Sequence, residues 1–507
     1  MEQSHPSAND QNAGTVDRPW KTITKANQTL SAGDTVYIKA GSYSSYIAPS
    51  KSGTYSNRIT YMNYRTDTVV VENAAYGIRL SAKSYITVQG INFYNLDRFM
   101  HLENSSNYNI IAYCNFDQMR TFADWAGSRI WTGSSYNWVH HCRFSNYGEC
   151  SAGGSDSGTV LEIGYDDGDT AYCGNYNLIE NNTMFNGGHH VLGVHGTRNI
   201  IWNNYLHNYA WSRGKGNRTL ILGGYASSSN RNLIEGNRFG YSYVPCDQWG
   251  APGAQVGTSY NIIRRNAFFF NNLAGLQLSM TDSYWSGANY NRIYNNTFNS
   301  NGWQLDDNGL DDQQRGQITF NDWSTKYTIK YNAIKNNLYY RAPRVYGYTG
   351  AVSGDQTFAG NYNGDVSGDP KFVNATSTPG DPADSGYPNL HLEGSSPCID
   401  KGVALTTISS ASGTGTSLVV ADAGYFMDGW GITGVEGDEI QLFGSTQKAR
   451  IVSVDYSTNT ITLGSKITWT QNQGVSLAYE GAGPDIGAYE LSQAHPPEAP
   501  MKLRLTE

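Results

Sequence analysis

Two glutamates, a tryptophan and a histidine are the first residues whose types and spacing suggest chemistry. Let Leu102, Ile130, Leu161, Leu192, Leu220, Ala254 and Leu276 face inward on successive strands. Alternation then leaves Glu103, Trp131, Glu162, Gly193, Ile221, Gln255 and Gln277 as one outward row. Ser105, Gly133, Gly164, His195, Gly223 and Ser279 form a neighbouring row, with His101 and Arg129 on the other side. Glu103 and Glu162 are two strands apart, an expected separation of about 9.6 Å. Carboxylates roughly 6.5–9.5 Å apart suit an inverting glycosidase, which needs room for a water between them. Trp131 between them can stack on a sugar ring, and His101, Arg129, Gln255 and Gln277 can contact substrate. Two solvated glutamates on a sheet face would give the same pattern. Glu162 with His195 on the next strand is a second pair, of acid/base type.

Two loops beside this row carry charge. Asp166, Asp167 and Asp169 fall in four residues after Tyr165. Carboxylates and backbone carbonyls at that density suit a hard cation such as calcium. A second acidic loop, Asp306-Asp307-Asn308 with Asp311-Asp312, lies farther along the chain. The stretch Trp211–Arg218 sets Arg213, Lys215 and Arg218 among glycines beside an aromatic. A basic loop of this kind can bind a uronate carboxylate, or place a Lys or Arg base at the sugar C5 while calcium acidifies that proton. The histidines of GGHHVLGVHG do not suggest a shared ion unless the strand begins after a bend at Gly188: on one extended strand His190 is expected inward, and His189 and His195 about 20 Å apart.

These residues need a scaffold that repeats, and the sequence contains one. An aliphatic pair, two variable residues, an asparagine and then an apolar or aromatic residue recur as LIENNTMF, IIWNNYL, LIEGNRF, IIRRNAF, RIYNNTF and AIKNNLYY. The asparagines in register are Asn182, Asn204, Asn237, Asn266, Asn296 and Asn337, spaced 22 to 41 residues apart. A fixed phrase separated by variable loops is the signature of a stacked solenoid, and the shortest interval suits one coil of a β-helix. Stacked amides at a bend can bond as a ladder, which assigns them to structure rather than catalysis. Cys114 and Cys142 occupy the same slot in two adjacent coils, expected about 5 Å apart at the backbone. They, and Cys150 with Cys173, can pair or remain buried thiols.

Composition agrees. Of 507 residues 15% are charged, with 56 Gly and 37 Tyr, a turn-dense β-rich balance. The net charge of −8 with no basic stripe argues against nucleic acid as partner. No apolar run is long enough to span a bilayer and the N-terminus has no signal-like core; the polar, Lys-poor composition favours a secreted protein. The fold class is all-β: a parallel β-helix with an N-terminal helical cap (Thr22–Leu30, then a strand at Thr35–Lys39) over residues 1–402. An inserted small β-barrel or sandwich of five strands occupies 403–481, a final β-helix segment 482–492 and a Pro-rich tail 493–507.

The opening HPSANDQNAGTVDRPWKTITKA…AGDTVYIKAGSY resembles the N-terminal cap of right-handed parallel β-helix proteins of the pectate-lyase-like superfamily. The closing GDPKFVN…SPCIDKG…GPDIGAYE resembles the C-terminal segment of large secreted bacterial β-helix proteins. The resemblance spans nearly the whole chain and implies a right-handed helix, an active cleft along one sheet and a polysaccharide substrate. In β-helix lyases of alginate and chondroitin a histidine follows the catalytic arginine, and His195 falls at that place. The sequence departs from them at Val194, where the arginine would stand, and lacks the lysine of the preceding coil. The expectation is therefore a secreted, monomeric lyase that cleaves a uronate polymer by β-elimination. Calcium would sit on Asp166, Asp167 and Asp169, with Lys215 or Arg213 as base or clamp, Arg218 beside them, and His195 and Glu162 assisting. Inverting hydrolysis by Glu103 and Glu162, and a non-catalytic glycan-binding protein, are the alternatives.

Overall fold

The computed structural model describes residues 1–121, 125–150, 156–164, 173–208, 218–223, 230–242, 251–281, 287–302, 312–350, 354–376 and 387–491. Within them the chain winds into three parallel sheets, two of twelve strands and one of ten, in which neighbouring strands belong to successive coils. The first sheet runs from Thr35–Ile38 to Thr357–Ala359 and the second from Gly41–Tyr43 to Tyr362–Asn363. The ten-stranded sheet runs from Ile78–Ser81 to Tyr346–Gly350. At the N-terminal end the helix Ile23–Thr29 starts where the Thr22 hydroxyl accepts from the Lys25 amide, and it buries Ile23 and Ala26.

The repeated phrase is a bend between the first and second sheets. The residue before each ladder asparagine is left-handed: Asn181, Asn203, Gly236, Arg265, Asn295 and Asn336 all have φ between 50° and 68°. A side chain on Gly236 would strike the Asn203 amide, so that coil uses glycine. Each ladder amide oxygen accepts from both the backbone N–H and the side-chain NH₂ of the asparagine one coil before, at 2.9–3.1 Å from Asn182 to Asn337. Cys114 and Cys142 do occupy this slot: the Cys114 amide donates to Cys142 Sγ (3.4 Å), and the Cys142 amide to Asn182 Oδ1 (2.8 Å). Both are buried free thiols, so the Cys114–Cys142 disulfide is not formed. The Cys150 side chain lies outside the described residues.

A second ladder, which the repeated phrase does not reveal, runs through Asn109, Asn137, Asn177, Asn199, Asn232, Asn261, Asn291 and Asn332. Each of these residues again follows a left-handed one, usually tyrosine. Those tyrosines stack on one another, Tyr85–Tyr108–Tyr136–Tyr176 with ring centroids 5.0–5.1 Å apart and Tyr260–Tyr290–Tyr331 at 5.0 Å. Much of the tyrosine content therefore serves the scaffold. Stacked phenylalanines, Phe93–Phe116–Phe144 and Phe239–Phe268–Phe298, run through the core at 4.6–4.9 Å.

Near the C-terminus an antiparallel half-barrel of six strands, from Thr406–Thr407 to Gly474–Leu477, packs on the helix. Arg264 anchors it: its guanidinium donates to both oxygens of Asp438 (2.6 and 2.7 Å) and to Glu235 (2.7 Å). The stretch 482–491 returns to the helix through hydrogen bonds rather than a strand. Asn295 donates to the Asp485 carbonyl, and the Gly487 amide to that of Asn336. Residues 493–507 lie outside the described part. No helix among the described residues is long and apolar enough to cross a membrane.

Candidate functional site on the ten-stranded sheet

Register corrects the row expected from alternation. Arg79, His101, Arg129, Glu162, Gly193, Ile221, Gln255 and Gln277 are partners across successive strands. Glu103 instead pairs with Ser81, two residues further along its strand, and Trp131 follows the Ile130–Leu102 partner pair. Glu103 and Glu162 therefore do not share a row. The cause is that Leu161 and Ile163 both point inward, and alternation cannot distinguish registers that differ by two residues. Glu103 is engaged elsewhere, its carboxylate accepting from Arg79 at 3.1 and 3.2 Å. The register thus offsets Glu103 from the one-row pairing with Glu162 expected for inversion.

What the register assembles instead is a buried polar centre. Arg129 stands directly beside Glu162, with its guanidinium 4.3 Å over the Trp131 ring. His101 is the next residue out in the row, its ring 5.3 Å from Tyr76. On the other side of Glu162 the row position is Gly193, which presents no side chain. Into that space fall two imidazoles: a Cβ built on Gly193 would touch His190 Nε2 at 2.8 Å and His195 Nε2 at 3.1 Å. Glu162, His190 and His195 are 1%, 2% and 1% exposed. His195 Nε2 lies 3.3 Å from Glu162 Oε1. His195 Nδ1 lies 2.8 Å from the Gly223 carbonyl, which can only accept. Nδ1 therefore carries a hydrogen, and in its neutral form the ring presents the Nε2 lone pair to Glu162.

The expectation that His190 points inward is thus corrected. Its strand begins at His190, after the Gly187–Gly188 bend, and Val191, Leu192 and Val194 all enter the core, so alternation fails at the strand start. Burial, with His189, Arg218 and His195 nearby, holds the His190 imidazole well below the ordinary range and hence neutral. Arg218 is the first residue of the next strand and pairs with His190, which brings it to the same centre. Farther along the row Gln255 donates to Gln277 at 3.0 Å, a short amide pair away from the histidines. Asp166, Asp167, Asp169, Arg213 and Lys215 lie outside the described residues, as do Asp306–Asp311.

Three parallel sheets joined coil by coil define a parallel β-helix. Residues 4–175 match the family described as Pel9A-like, right handed beta helix region. The protein YwoF of Bacillus subtilis (strain 168) is 34% identical over 99 residues, 18% of this chain and 21% of that relative, so the match spans about a fifth of its length. Pectate lyase Pel9A superposes over 97% of this chain and 95% of its own, with 13% identity and a TM-score of 0.49. The GH136 lacto-N-biosidase of Eubacterium ramulus covers 71% of this chain and 67% of its own, with 11% identity and a TM-score of 0.46.

Proposed function

We propose that this protein is a carbohydrate-active enzyme, a secreted lyase that cleaves a uronate polymer by β-elimination on the outer face of the ten-stranded sheet. The observation that carries the reading is the buried cluster of Arg129, Glu162, His190 and His195, opposite-charge and proton-accepting groups gathered beside Gly193. Arg129 and Arg218 supply the positive charge that recognises a uronate carboxylate. Trp131, His101, Gln255 and Gln277 line the sheet for neighbouring sugar units. Lys215 or Arg213, from the loop entering the Arg218 strand, serves as base at C5. Glu162 and His195 assist by fixing the charge beneath that carbon. Calcium on Asp166, Asp167 and Asp169, in the loop leaving the Glu162 strand, would neutralise the substrate carboxylate and acidify the C5 proton. The name of a pectate lyase in the matched family description supports a polysaccharide as the substrate class.

The test is a panel of acidic and neutral polysaccharides, with the near-ultraviolet absorbance of the unsaturated product and the appearance of reducing ends followed together. Absorbance rising with a uronate polymer is the expected result. Reducing ends without absorbance would assign hydrolysis, and retention on a glycan column with neither would assign a binding protein.

A further inference from the structure

The centre beside Gly193 contains a surplus of acceptors. One carboxylate oxygen and one ring nitrogen from each of Glu162, His190 and His195 lie within 4.8 Å of one another, and all three residues are buried. Neither oxygen of Glu162 and neither ring nitrogen of His190 has a hydrogen-bond partner among the described residues. In the neutral tautomer selected by the Gly223 carbonyl, the lone pair of His195 Nε2 faces Glu162 Oε1, 3.3 Å away. Two lone pairs at that distance, out of water, repel unless a proton or a cation lies between them. One proton can serve the Glu162–His195 contact, but it leaves His190 unsatisfied. One metal ion satisfies all three.

We propose that Glu162, His190 and His195 bind a divalent transition-metal ion of the zinc class. Two neutral imidazoles and one carboxylate are the donors such ions select, whereas calcium selects oxygen alone. Tetrahedral bonds of 2.0–2.1 Å put neighbouring donors about 3.3–3.4 Å apart, which is the Glu162–His195 distance. Three protein donors leave a fourth position open, as catalytic rather than structural zinc sites do. On one side the ligand ring is held in place, because His195 Nδ1 donates to the Gly223 carbonyl. Gly193 is the residue that makes the site possible, because any side chain there would occupy the space where the two imidazoles meet. With Arg129 and Arg218 as register neighbours of Glu162 and His190, the surroundings are positive, and the fourth ligand is expected to be an anion such as a carboxylate. The site is separate from the calcium proposed on the aspartate loop, and it stands on the coordination geometry whether or not the protein is a lyase.

The experiment uses the full chain, stripped of metal by chelator and dialysed, titrated with Co²⁺ and followed by visible d–d absorption without any glycan. One equivalent with the intense bands of four- or five-coordinate cobalt, displaced by Zn²⁺ and not by Ca²⁺, is expected. His190→Ala and Glu162→Gln should each weaken binding by more than about 100-fold, beyond the roughly 10–100-fold lost when a residue that only supports a ligand is changed. Thermal melts identify a variant that has failed to fold, and the other then carries the test. Absence of the bands in the wild-type chain, or bands that survive in both folded variants, would overturn the proposal. Because no substrate is present, this outcome is independent of the polysaccharide panel.

Discussion

The two asparagine bends, one on either side of the first sheet, and the outer face of the ten-stranded sheet are built from equally polar residues, yet they differ in how those residues are satisfied. Within the ladders an amide oxygen accepts from both the N–H and the NH₂ of the preceding asparagine, and the NH₂ also donates to a carbonyl, as at Asn237 and Asn266. On the outer face Glu162 and His190 are as deeply buried, but their side chains make no hydrogen bond among the described residues. Burying a polar group without a partner costs about 1–3 kcal/mol, more for a charge. A fold that satisfies its amides so regularly elsewhere retains this cost where a ligand, ion or proton will remove it. The distinction separates scaffold from site.

The comparison can be broken most sharply at Glu162. Glu162→Gln is expected to lower turnover by about 10²–10⁴-fold while the melting temperature of the metal-free protein stays level or rises, since a buried carboxylate without a hydrogen-bond donor is removed. A melting temperature that falls with activity would place Glu162 in the scaffold. Next in size is Arg264→Ala, which leaves Asp438 and Glu235 buried without their cation and should cost about 3–5 kcal/mol. Denaturant unfolding should show the loss in the transition that includes the half-barrel. Asn237→Ala removes one rung of the ladder and should cost about 2–3 kcal/mol, since several bonds worth roughly 1 kcal/mol each are lost. Activity below the melting temperature should be unchanged.

The smallest effect concerns pH. Burial raises the Glu180 carboxyl to about 7, against opposing hydrogen bonds from Trp138 and Asn181. Its folded-state value lies above the ordinary 4.5, so the folded protein holds the proton more tightly than the unfolded chain does. Stability from this group is therefore present at low pH and declines as pH rises from about 4.5 to about 7. Glu180→Gln should flatten the dependence of melting temperature on pH across that window, and an unchanged slope would remove Glu180 as its source.

The solenoid was legible because the first ladder recurs as a phrase, with its asparagines, its two cysteines and the aliphatic pair in fixed order. The second ladder was equally present as Tyr-Asn or Arg-Asn before each aliphatic pair, but it is masked by that pair's own regularity. The site was legible in part. His101, Arg129, Glu162 and His195 were singled out by sheet alternation, and the structure gathers the last three around Gly193 and Trp131. Glu103 was misplaced because a two-residue shift preserves every inward face. His190 was assigned to the wrong face because alternation does not hold through a bend, and the Gly187–Gly188 pair before it was the available signal. The aspartate and basic loops flank the strands that carry Glu162 and Arg218, which sequence order alone required.

Hydrogen–deuterium exchange of the Glu162→Gln variant, with and without a saturating oligouronate, tests the central claim most directly. Slowed exchange confined to Ala126–Ile130, Thr159–Ile163 and His190–Val194 is the result expected of a site on the ten-stranded sheet. Protection confined to the tyrosine-lined first sheet or to the half-barrel between Thr406 and Leu477 would contradict it.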